Sequence, residues 1–498
     1  MNQVAVWWIK RDARLADNGA VHEAARNEAF VLPVFCEEPS IRSAGDSSSM
    51  HAHAQWQAVS ALQDELRRRG GDLHWATSEA VEAFERLHRI APFQRLVSHE
   101  EIGNAATYQR DRAVAAWCRA RSVEYVEVPQ SSVKRGGVNR DRFQVLWKSR
   151  IEGAEPLPEI AVRQSPELLV LGCRPTTPSW PAAATNWQVV TEVAGQRTLR
   201  DFLDRRGLWY RGGISSPNTA DSRLSVHLAW GTLSVRQVWY ATQQRLSHLR
   251  ADAPEGSDRW TKSLEAFTSR LHWRDHFTQR LESEPDLEFR SIHPAYRNVP
   301  YGDDPALLEA WCTGRTGVPL VDAVMRCLAA TGFVNFRMRA MVVSYACHAL
   351  HLSWQAIHPH LAGVFRDYDP GIHLSQLQMQ AGVVGWNPIR VYNPTKQLAD
   401  WDAAGRFTKR WVPELRDVPA ERLLNLEAEP VPGYRPPVVP FVERTKEMKD
   451  WLYAIRQSQD PTMTAAVYAR HGSRKPQRSA PARPKRLPKR DLQLRLFE

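Results

Sequence analysis

The sequence predicts a parallel α/β domain, then an all-helical domain, and finally a disordered basic tail. Three observations lead to this prediction. Strand and helix patterns alternate over residues 1–130, helical periodicity dominates residues 196–458, and residues 459–498 contain few apolar side chains to bury. Residues 131–195 are irregular and rich in proline, as in EGAEPLPEI and RPTTPSWP, which is typical of an interdomain linker.

Five short apolar runs mark the strands of the first domain. They are Val4–Ile9 (VAVWWI) and residues 30–35 (FVLPVF), 73–76, 96–98 and 123–128 (VEYVEV). Helical patterns separate them at residues 17–29, 51–70, 80–90 and 105–121. This alternation predicts a parallel sheet with right-handed crossovers. The domain has no G-x-G-x-x-G or P-loop motif, so neither dinucleotide nor triphosphate binding is indicated there.

In the helical domain, residues 321–328 and 338–352 are strongly apolar at helical spacing, and we expect them to form its core. Ser222, Arg223 and Ser225 lie at a predicted helix start. There, hydroxyl and N–H groups either bind an anion or simply cap the helix.

Composition excludes several classes of protein. The chain has 498 residues, of which 24% are charged and 43% hydrophobic, as in ordinary globular proteins. It has no apolar run of about 18 residues and no signal peptide pattern, so we expect a cytoplasmic protein without a membrane span. Its six cysteines are scattered without a C-x-x-C pair, which favours reduced thiols over disulfides or a zinc site.

The formal charge of +11 is concentrated at the C-terminus. Residues 470–498 contain ten Lys/Arg and two Asp/Glu, so that most of the excess lies outside the two domains. Basic tails of this kind are typical of nucleic-acid contacts.

Four histidines raise the question of a metal site. They are His348, His351, His358 and His360. Half-buried imidazoles at a helix end explain them as well, and no cysteine or carboxylate of ligand spacing joins them, so no metal site is predicted.

Five segments, in this order and spacing, resemble the photolyase/cryptochrome flavoproteins. They are KRDARLADN (10–18), DSRLSVHLAWGTLS (221–234), WCTGRTGVPLVDAVMR (311–326), TGFVNFRMR (331–339) and VYNPTKQ (391–397). The resemblance extends from residue 4 to about residue 420. It implies a Rossmann-like antenna-type domain followed by a helical domain that binds FAD. It also implies chemistry by light-driven electron transfer, in which the cofactor does the work.

The resemblance implies which residues bind FAD. Tyr210 with Ser222, Arg223, Leu224 and Ser225 matches the diphosphate clamp. The other matched residues are Arg339 and Asp367 (an ion pair beside the isoalloxazine ring), Asp369 (a carboxylate facing the flavin and ribose) and His373. His373 stands where photolyases usually have an asparagine next to flavin N5, and its charge can adjust near neutral pH.

The family's three-tryptophan electron chain is altered. Its flavin-proximal position aligns with Leu377, its middle position with Trp354 and its surface end with Tyr301. Another aromatic route would have to replace the usual one.

The implied lesion pocket is only partly kept. Trp273 matches the aromatic residue that stacks on a flipped dimer, and photolyases extrude their lesion to reach it. Arg270 stands in place of the usual glutamate, Phe336 in place of an asparagine, Ala340 in place of a methionine and Met379 in place of a tryptophan.

Other cofactors and partners follow from the same resemblance. A second, antenna chromophore is expected, with folate, deazaflavin, another flavin or none left open. The four-cysteine iron–sulfur cluster of one bacterial branch is not expected, because only Cys312, Cys327 and Cys347 lie in the helical domain. The resemblance also implies that this protein is a monomer and that its partner is UV-damaged DNA. Residues 491–497 (DLQLRLF), from Asp491 to Phe497, resemble the bacterial sliding-clamp-binding peptide.

Three functions follow as hypotheses. The first is an FAD-dependent, blue-light DNA photolyase of the deoxyribodipyrimidine type. The second is a cryptochrome-like photoreceptor that binds FAD without repairing DNA, which the altered pocket favours. The third is a basic DNA-binding scaffold with a degenerate flavin site.

Overall fold

The computed structural model describes residues 4–218, 221–252, 256–426 and 430–473. The first domain contains one five-stranded sheet. Its strands are β1 (Val4–Ile9), β2 (Phe30–Cys36), β3 (His74–Ala76), β4 (Arg95–His99) and β5 (Glu124–Val128). Their order is β3-β2-β1-β4-β5, and every pairing is parallel. The predicted parallel α/β domain is therefore confirmed.

In the described residues, twenty-one α-helices surround and follow this sheet. In the first 190 residues they are α1 (Gly19–Ala24), α2 (Pro39–Arg42), α3 (Ser49–Arg68), α4 (Ala80–Ile90), α5 (Ala105–Ala120), α6 (Arg140–Trp147) and α7 (Pro166–Leu169). The next seven are α8 (Glu192–Asp204), α9 (Tyr210–Gly213), α10 (Ser225–Ala229), α11 (Val235–Asp252), α12 (Ser257–Ser283), α13 (Pro305–Cys312) and α14 (Pro319–Thr331). The last seven are α15 (Phe336–His348), α16 (Trp354–Val364), α17 (Pro370–Ala381), α18 (Pro394–Trp401), α19 (Arg406–Trp411), α20 (Phe441–Ser458) and α21 (Pro461–His471).

Short 3-10 turns and one π turn connect these helices. The 3-10 turns are Arg26–Glu28, Ala182–Asn186, Arg206–Trp209, Pro285–Glu288, Pro294–Tyr296, Pro413–Leu415 and Glu421–Leu424. The π turn, Lys148–Glu152, extends α6.

The central strand is buried on both faces of the sheet. Trp7 and Ile9 pack into one apolar layer, while Val6 and Trp8 pack into the layer on the opposite face. Because side chains alternate along a strand, helices must cover both faces, which explains why VAVWWI is apolar throughout.

The helix predicted over residues 17–29 is shorter than expected. Asn18 begins α1, since its side chain accepts hydrogen bonds from the backbone N–H groups of Ala20 and Val21. Helix α1 ends at Ala24, and the 3-10 turn Arg26–Glu28 that follows contains Asn27, whose backbone is left-handed with φ of 57°. Asparagine tolerates this conformation better than most residues, so the break is local.

The second core confirms the two apolar segments. Residues 321–328 lie within α14, and α15 covers most of residues 338–352. Both helices contribute to one large buried cluster.

The linker over residues 131–195 is more structured than predicted. It contains α6 and α7, and α8 already begins at Glu192. Trp147 of α6 is 1% exposed and packs in a core with α8, α11 and α12. Cys173 donates its N–H to Leu73 O and extends the sheet beside β3. Tertiary packing thus orders a segment whose local pattern lacks periodicity.

The prediction that the disordered tail begins at residue 459 was wrong in its boundary. Residues 461–471 form α21, which Asp460 caps by accepting the N–H of Thr462. Arg140 and Arg280 donate to the carbonyl oxygens of Arg470 and His471 over 3.2 Å each, at the C-terminal end of this helix. Of the residues of α21 only His471 is buried, so these buried arginines supply contacts that no sequence period reveals. The rest of the predicted tail, with the clamp-like peptide, lies outside the described residues.

The segment KRDARLADN joins the two domains. Arg14 donates to Gly231 O over 2.8 Å, and Arg236 Nε donates to Asp17 Oδ1 over 2.8 Å. Gly231 has φ of 67°, and a Cβ atom there would lie 1.8 Å from Arg11 O. Only glycine fits this close approach between the domains.

Within the described parts of the chain, none of the helices combines the length and apolar character needed to cross a membrane.

Candidate functional site

The centre of the site is a bidentate ion pair between α15 and the turn before α17. Arg339 Nη1 and Nη2 donate to the two carboxylate oxygens of Asp367, each over 2.9 Å. The Arg339 guanidinium and the hydroxyl of Ser225 lower the pKa of Asp367 below its ordinary value, although burial opposes them. Asp367 therefore stays ionised, and the pair holds a fixed charge distribution.

The segment before α10 lies beside this pair. Arg223 has a left-handed backbone with φ of 59°, and Ser222 Oγ accepts the N–H of Leu224 over 3.4 Å. Leu224 is buried while Ser225, one residue later, is exposed. Arg206 donates to the carbonyl oxygens of Asp221 and Ser222, which fixes the turn. Hydroxyl groups are thus presented to accessible space beside a buried carboxylate.

Positive charge exceeds negative charge in this region. Burial raises the pKa of Asp221 to about 7, because it outweighs the neighbouring arginines Arg339, Arg223 and Arg206. Burial lowers the pKa of Arg223, whose Nε donates to the neutral Gln188 Oε1 over 3.0 Å. Asp367 and Asp221 offset this lowering only in part, and a partly buried guanidinium without a carboxylate hydrogen-bonded to its Nε suits an anionic ligand.

Tyr210 and Arg270 complete a cationic band of residues, which we define as Tyr210, Asp221, Ser222, Arg223, Ser225 and Arg270. Burial raises the pKa of Tyr210, and the Arg270 guanidinium hydrogen-bonds its hydroxyl. Asp221 also acts on Tyr210 electrostatically, so that the band continues from Arg270 to the ion pair Arg339–Asp367.

Asp369 both caps a helix and accepts a hydrogen bond from an arginine. It caps α17 by accepting the N–H of Ile372, and Arg274 Nη2 donates to its Oδ2 over 3.0 Å. Arg274 also pairs with Asp275 and donates to Leu228 O, which connects α12 with the end of α10. Sequence reasoning missed Arg274, although it directly follows Trp273.

His373, on α17, is buried among the rings of His358, Phe365 and Tyr368. Its Nε2 lies 3.0 Å from His358 Nδ1, and its ring contacts Phe365 and Tyr368 at centroid distances of 5.8 and 5.2 Å. Burial, His358 and Arg339 hold the pKa of His373 well below its ordinary value. His373 is therefore neutral at physiological pH, and one ring of the histidine pair donates to the other.

Of the residues matched to the electron chain, Trp354 and Leu377 are buried and Tyr301 is partly buried. Trp354 is 1% exposed, and its indole donates to Ser291 Oγ over 3.2 Å. The hydroxyl of Tyr301 has no hydrogen-bond partner among the described residues. Leu377 is also buried in this core.

The residues matched to the lesion pocket lie on three helices, two of which pack against the third. Arg270 and Trp273 are one turn apart on α12, Phe336 begins α15, and Met379 is on α17, which packs against both other helices. Trp273 stacks on Phe277 at a centroid distance of 5.4 Å. Phe336 is 41% exposed.

A second concave region opens at the carboxyl ends of the strands. Its lining includes Trp8, Lys10, Arg110, Trp230 and Tyr368. It lies where the strand order reverses between β1 and β4, the usual ligand position in parallel sheets. The interdomain segment KRDARLADN contributes Lys10, so the sequence feature and the cavity coincide.

The histidines that suggested a metal have separate contacts. His348 Nδ1 is bonded to Ser344, His351 Nε2 to Arg444 O, and His360 packs against Trp311. In the four described ranges, no three potential ligands converge on a metal position.

Comparison with known proteins decides the family. A deoxyribodipyrimidine photo-lyase of Thermus thermophilus is 35% identical over 439 residues, which cover 84% of this chain and 95% of the relative. The chain belongs to the photolyase/cryptochrome family. The profile named DNA photolyase matches residues 5–138, and the FAD binding domain of DNA photolyase matches residues 267–453.

More distant photolyases agree. A deoxyribodipyrimidine photo-lyase of Synechococcus is 25% identical, covering 89% of this chain and 95% of the relative. Solved structures share the fold. A class III photolyase from Agrobacterium tumefaciens superposes with a TM-score of 0.78 at 22% identity, covering 92% of this chain and 98% of the other. A Synechocystis cryptochrome gives 0.78 at 20% identity, covering 90% and 99%.

The donor set of this photolyase-family site fits a flavin dinucleotide. The cationic, hydroxyl-bearing band of Arg223, Ser222 and Ser225 suits a diphosphate, and the fixed pair Arg339–Asp367 suits a polar ring system. These residues had been matched by resemblance alone, and the structure brings them together. Asp221, Arg274 and His358 join these residues. None of them had a predicted role toward the cofactor, although Asp221 begins the segment DSRLSVHLAWGTLS and His358 is one of the four histidines considered for a metal.

Proposed function

We propose that this protein is an FAD-dependent, blue-light-driven DNA photolyase that repairs pyrimidine dimers by electron transfer from reduced flavin. The observation that carries the proposal is the ion pair Arg339–Asp367, which lies beside the arginine-rich band ending at Tyr210. Relatives named deoxyribodipyrimidine photo-lyase, up to 35% identical, support it.

The chain's own residues would bind and orient the cofactor. Tyr210, Ser222, Arg223 and Ser225 would hold the diphosphate through hydroxyl and guanidinium donors, with Leu224 buried beneath them. Arg339 and Asp367 would set the electrostatics at the ring. Asp369, fixed by Arg274, would orient the ribose side. Bound FAD would supply the light-driven electron donation.

His373 would act on the cofactor as a neutral group. Its pKa is too low for an imidazolium near pH 7, so it can accept or donate one hydrogen bond but brings no fixed charge. His358 fixes the tautomer, because only one proton is shared between the facing nitrogens.

Lesion binding would depend on the wall formed by α12, α15 and α17. Trp273 would stack on an extruded dimer, and Phe336 and Met379 would provide apolar contact. Arg270 brings a cation where the family usually has a carboxylate, so it would contact a phosphate or carbonyl oxygen rather than accept a hydrogen bond.

A second chromophore would occupy the cavity at the strand ends. Lys10 and Arg110 supply cations there, while Trp8 and Trp230 supply flat apolar surface. An archaeal photolyase from Sulfolobus tokodaii, 24% identical with a TM-score of 0.71 and covering 91% of this chain and all of the other, was solved with two FAD molecules. That structure supports such a site by fold likeness alone.

The test is repair of an oligonucleotide with one cyclobutane dimer by chemically reduced holoprotein under blue light. We expect restored bases in the light and none in the dark. Trp273→Ala should lower repair by about ten-fold or more, because stacking on one base contributes about 1–3 kcal/mol. Trp273→Phe keeps a ring and should retain most of it. Holoprotein with bound flavin and no repair would contradict the proposal.

Arg270 favours a second candidate, a cryptochrome-like photoreceptor that binds FAD but does not repair DNA. Its bond to Tyr210 turns the pocket-facing cation toward the cofactor band. This function predicts equal affinity for damaged and undamaged DNA, and light-dependent binding of another partner. Restoring the carboxylate with Arg270→Glu should then create lesion preference.

A further inference from the structure

Tyr368 has a proton acceptor in place. It lies between Asp367 and Asp369 in sequence, and its hydroxyl donates to Asp46 Oδ2 over 2.7 Å. Asn104 Nδ2 donates to the same oxygen over 2.7 Å, which fixes the carboxylate. Tyr368 is 3% exposed, so water does not compete for this hydrogen bond.

The ring of Tyr368 connects the two candidate ligand regions. One side lies against His373, which is matched to the flavin, at a centroid distance of 5.2 Å. His51 is stacked on the ring at 5.6 Å with an interplanar angle of 13°. Tyr368, Asp46 and His51 also line the cavity at the strand ends.

The residues at the usual electron-chain positions lack these properties. Leu377 has no aromatic ring to oxidise. Loss of an electron makes a phenol strongly acidic, so its proton must leave, but the buried hydroxyl of Tyr301 has no acceptor among the described residues. The indole N–H of Trp354 donates to the neutral hydroxyl of Ser291 rather than to a carboxylate.

We propose that Tyr368 donates the electron that reduces the bound flavin in light, and that Asp46 accepts the phenolic proton. This inference rests on the proposed function, which requires reduced flavin. One electron passes from Tyr368 to the oxidised, light-excited flavin, and the O–H bond breaks as the proton moves to Asp46 Oδ2. A neutral tyrosyl radical and a protonated carboxyl group remain. A thiolate such as that of glutathione then gives one electron to the radical and becomes a thiyl radical, two of which combine to a disulfide, and the proton returns from Asp46. A second passage through the same steps delivers the second electron that full reduction of the flavin requires.

The test compares flavin-loaded wild-type protein with Tyr368→Phe and Asp46→Asn. Both variants keep the local shape, but the first has no phenol and the second no base. Tyr453→Phe, at a tyrosine that is 43% exposed on α20, is the matched control. Samples are frozen during blue illumination for electron paramagnetic resonance, and flavin bleaching is followed by absorption with thiol present.

We expect a tyrosyl radical signal in wild type and in Tyr453→Phe. Tyr368→Phe should lose the signal and slow flavin bleaching by about ten-fold or more, and Asp46→Asn should lower the radical yield several-fold. Unchanged bleaching in Tyr368→Phe, or its loss in Trp354→Phe alone, would overturn the inference.

Failure of the proposed function is seen separately. Dithionite reduces the flavin without light, so dimer repair by chemically reduced wild-type protein tests the proposed function without the Tyr368 step. If the reduced wild-type protein does not repair while the tyrosyl signal depends on Tyr368, the electron route stands and the proposed repair function is wrong. If it repairs and the signal is independent of Tyr368, the inference alone is wrong.

Discussion

At the scale of single residues, the function depends on a few buried charges with well-defined partners. Asp367 is matched by two guanidinium N–H groups, whereas Asp221 is only partly compensated. A planar guanidinium fits a carboxylate at two points, and an ammonium group fits at one. The geometry of Arg339 therefore matters as much as its charge.

Replacing Arg339 by lysine should weaken FAD binding although the charge is kept. Loss of one charge-assisted hydrogen bond costs about 1.5–3 kcal/mol, or roughly 10–150-fold in affinity. Titration of flavin fluorescence on the apoprotein measures this. The control is Arg315→Lys, whose partner Glu309 is on the surface, and its affinity should equal that of wild type. Equal affinity in Arg339→Lys would show that the pair does not orient the cofactor.

Buried histidines should make stability depend on pH. Burial lowers the pKa of His348 to about 4, whereas an unfolded histidine titrates near about 6.5. Between these values the unfolded state binds a proton that the native state does not. The free energy of unfolding therefore falls as pH falls, by about 1.4 kcal/mol per pH unit for each such histidine.

His348→Gln should reduce the pH dependence of the free energy of unfolding by about 1.4 kcal/mol per pH unit. Urea unfolding at pH 4.5, 5.5 and 7 measures the slope. Replacement of His248, which is exposed on α11, should leave the slope as in wild type. The same slope in both variants would mean that His348 is not held neutral by the fold.

At the scale of elements, the arrangement of helices around α12 and α17 builds the site, and one close contact fixes it to the sheet domain. The turn after α10 carries Gly231, which meets the backbone of Arg11. The same turn leads to Ser234 and Arg236, both of which donate to Asp17. The segment Ser222–Ser225, which is matched to the diphosphate clamp, and the contact between the two domains therefore lie in one short stretch of chain.

Gly231→Ala should destabilise the protein by about 2 kcal/mol or more. The added Cβ atom would overlap Arg11 O, and φ of 67° disfavours any other residue. Thermal unfolding measures the loss. Gly212→Ala is the matched control, because nothing lies within 4 Å of the added atom, and its stability should change by less than about 0.5 kcal/mol. Equal melting temperatures for the two variants would contradict this account of the joint.

At the scale of the whole molecule, charge is divided between body and tail. The excess of Lys/Arg lies mostly in residues 470–498, of which 470–473 belong to the folded body. Since α21 holds Arg470 and His471 against α6 and α12, the tail starts from a fixed point on the helical domain. Such a tail would act in DNA affinity rather than in lesion choice.

Deleting residues 474–498 should reduce the salt dependence of DNA binding. Each phosphate contact contributes about 0.9 to the slope of log affinity against log salt concentration. Binding to undamaged duplex at several salt concentrations measures the slope before and after deletion. The variant keeps α21, so its melting temperature should not change. An unchanged slope would show that the tail does not contact phosphates.

The sequence by itself determined the order of strands and helices along the chain. Burial of one or both faces of an element imposes a periodicity of apolar residues that a short segment already shows. Its motifs also named Arg339, Asp367 and the segment Ser222–Ser225. Only the tertiary structure revealed that Arg274 binds Asp369 and that His358 pairs with His373. Only it revealed the hydrogen bond between Tyr368 and Asp46 and the two buried arginines that bind the C-terminal end of α21. These contacts connect residues far apart in the chain through single hydrogen bonds, and a single bond leaves no period in the sequence.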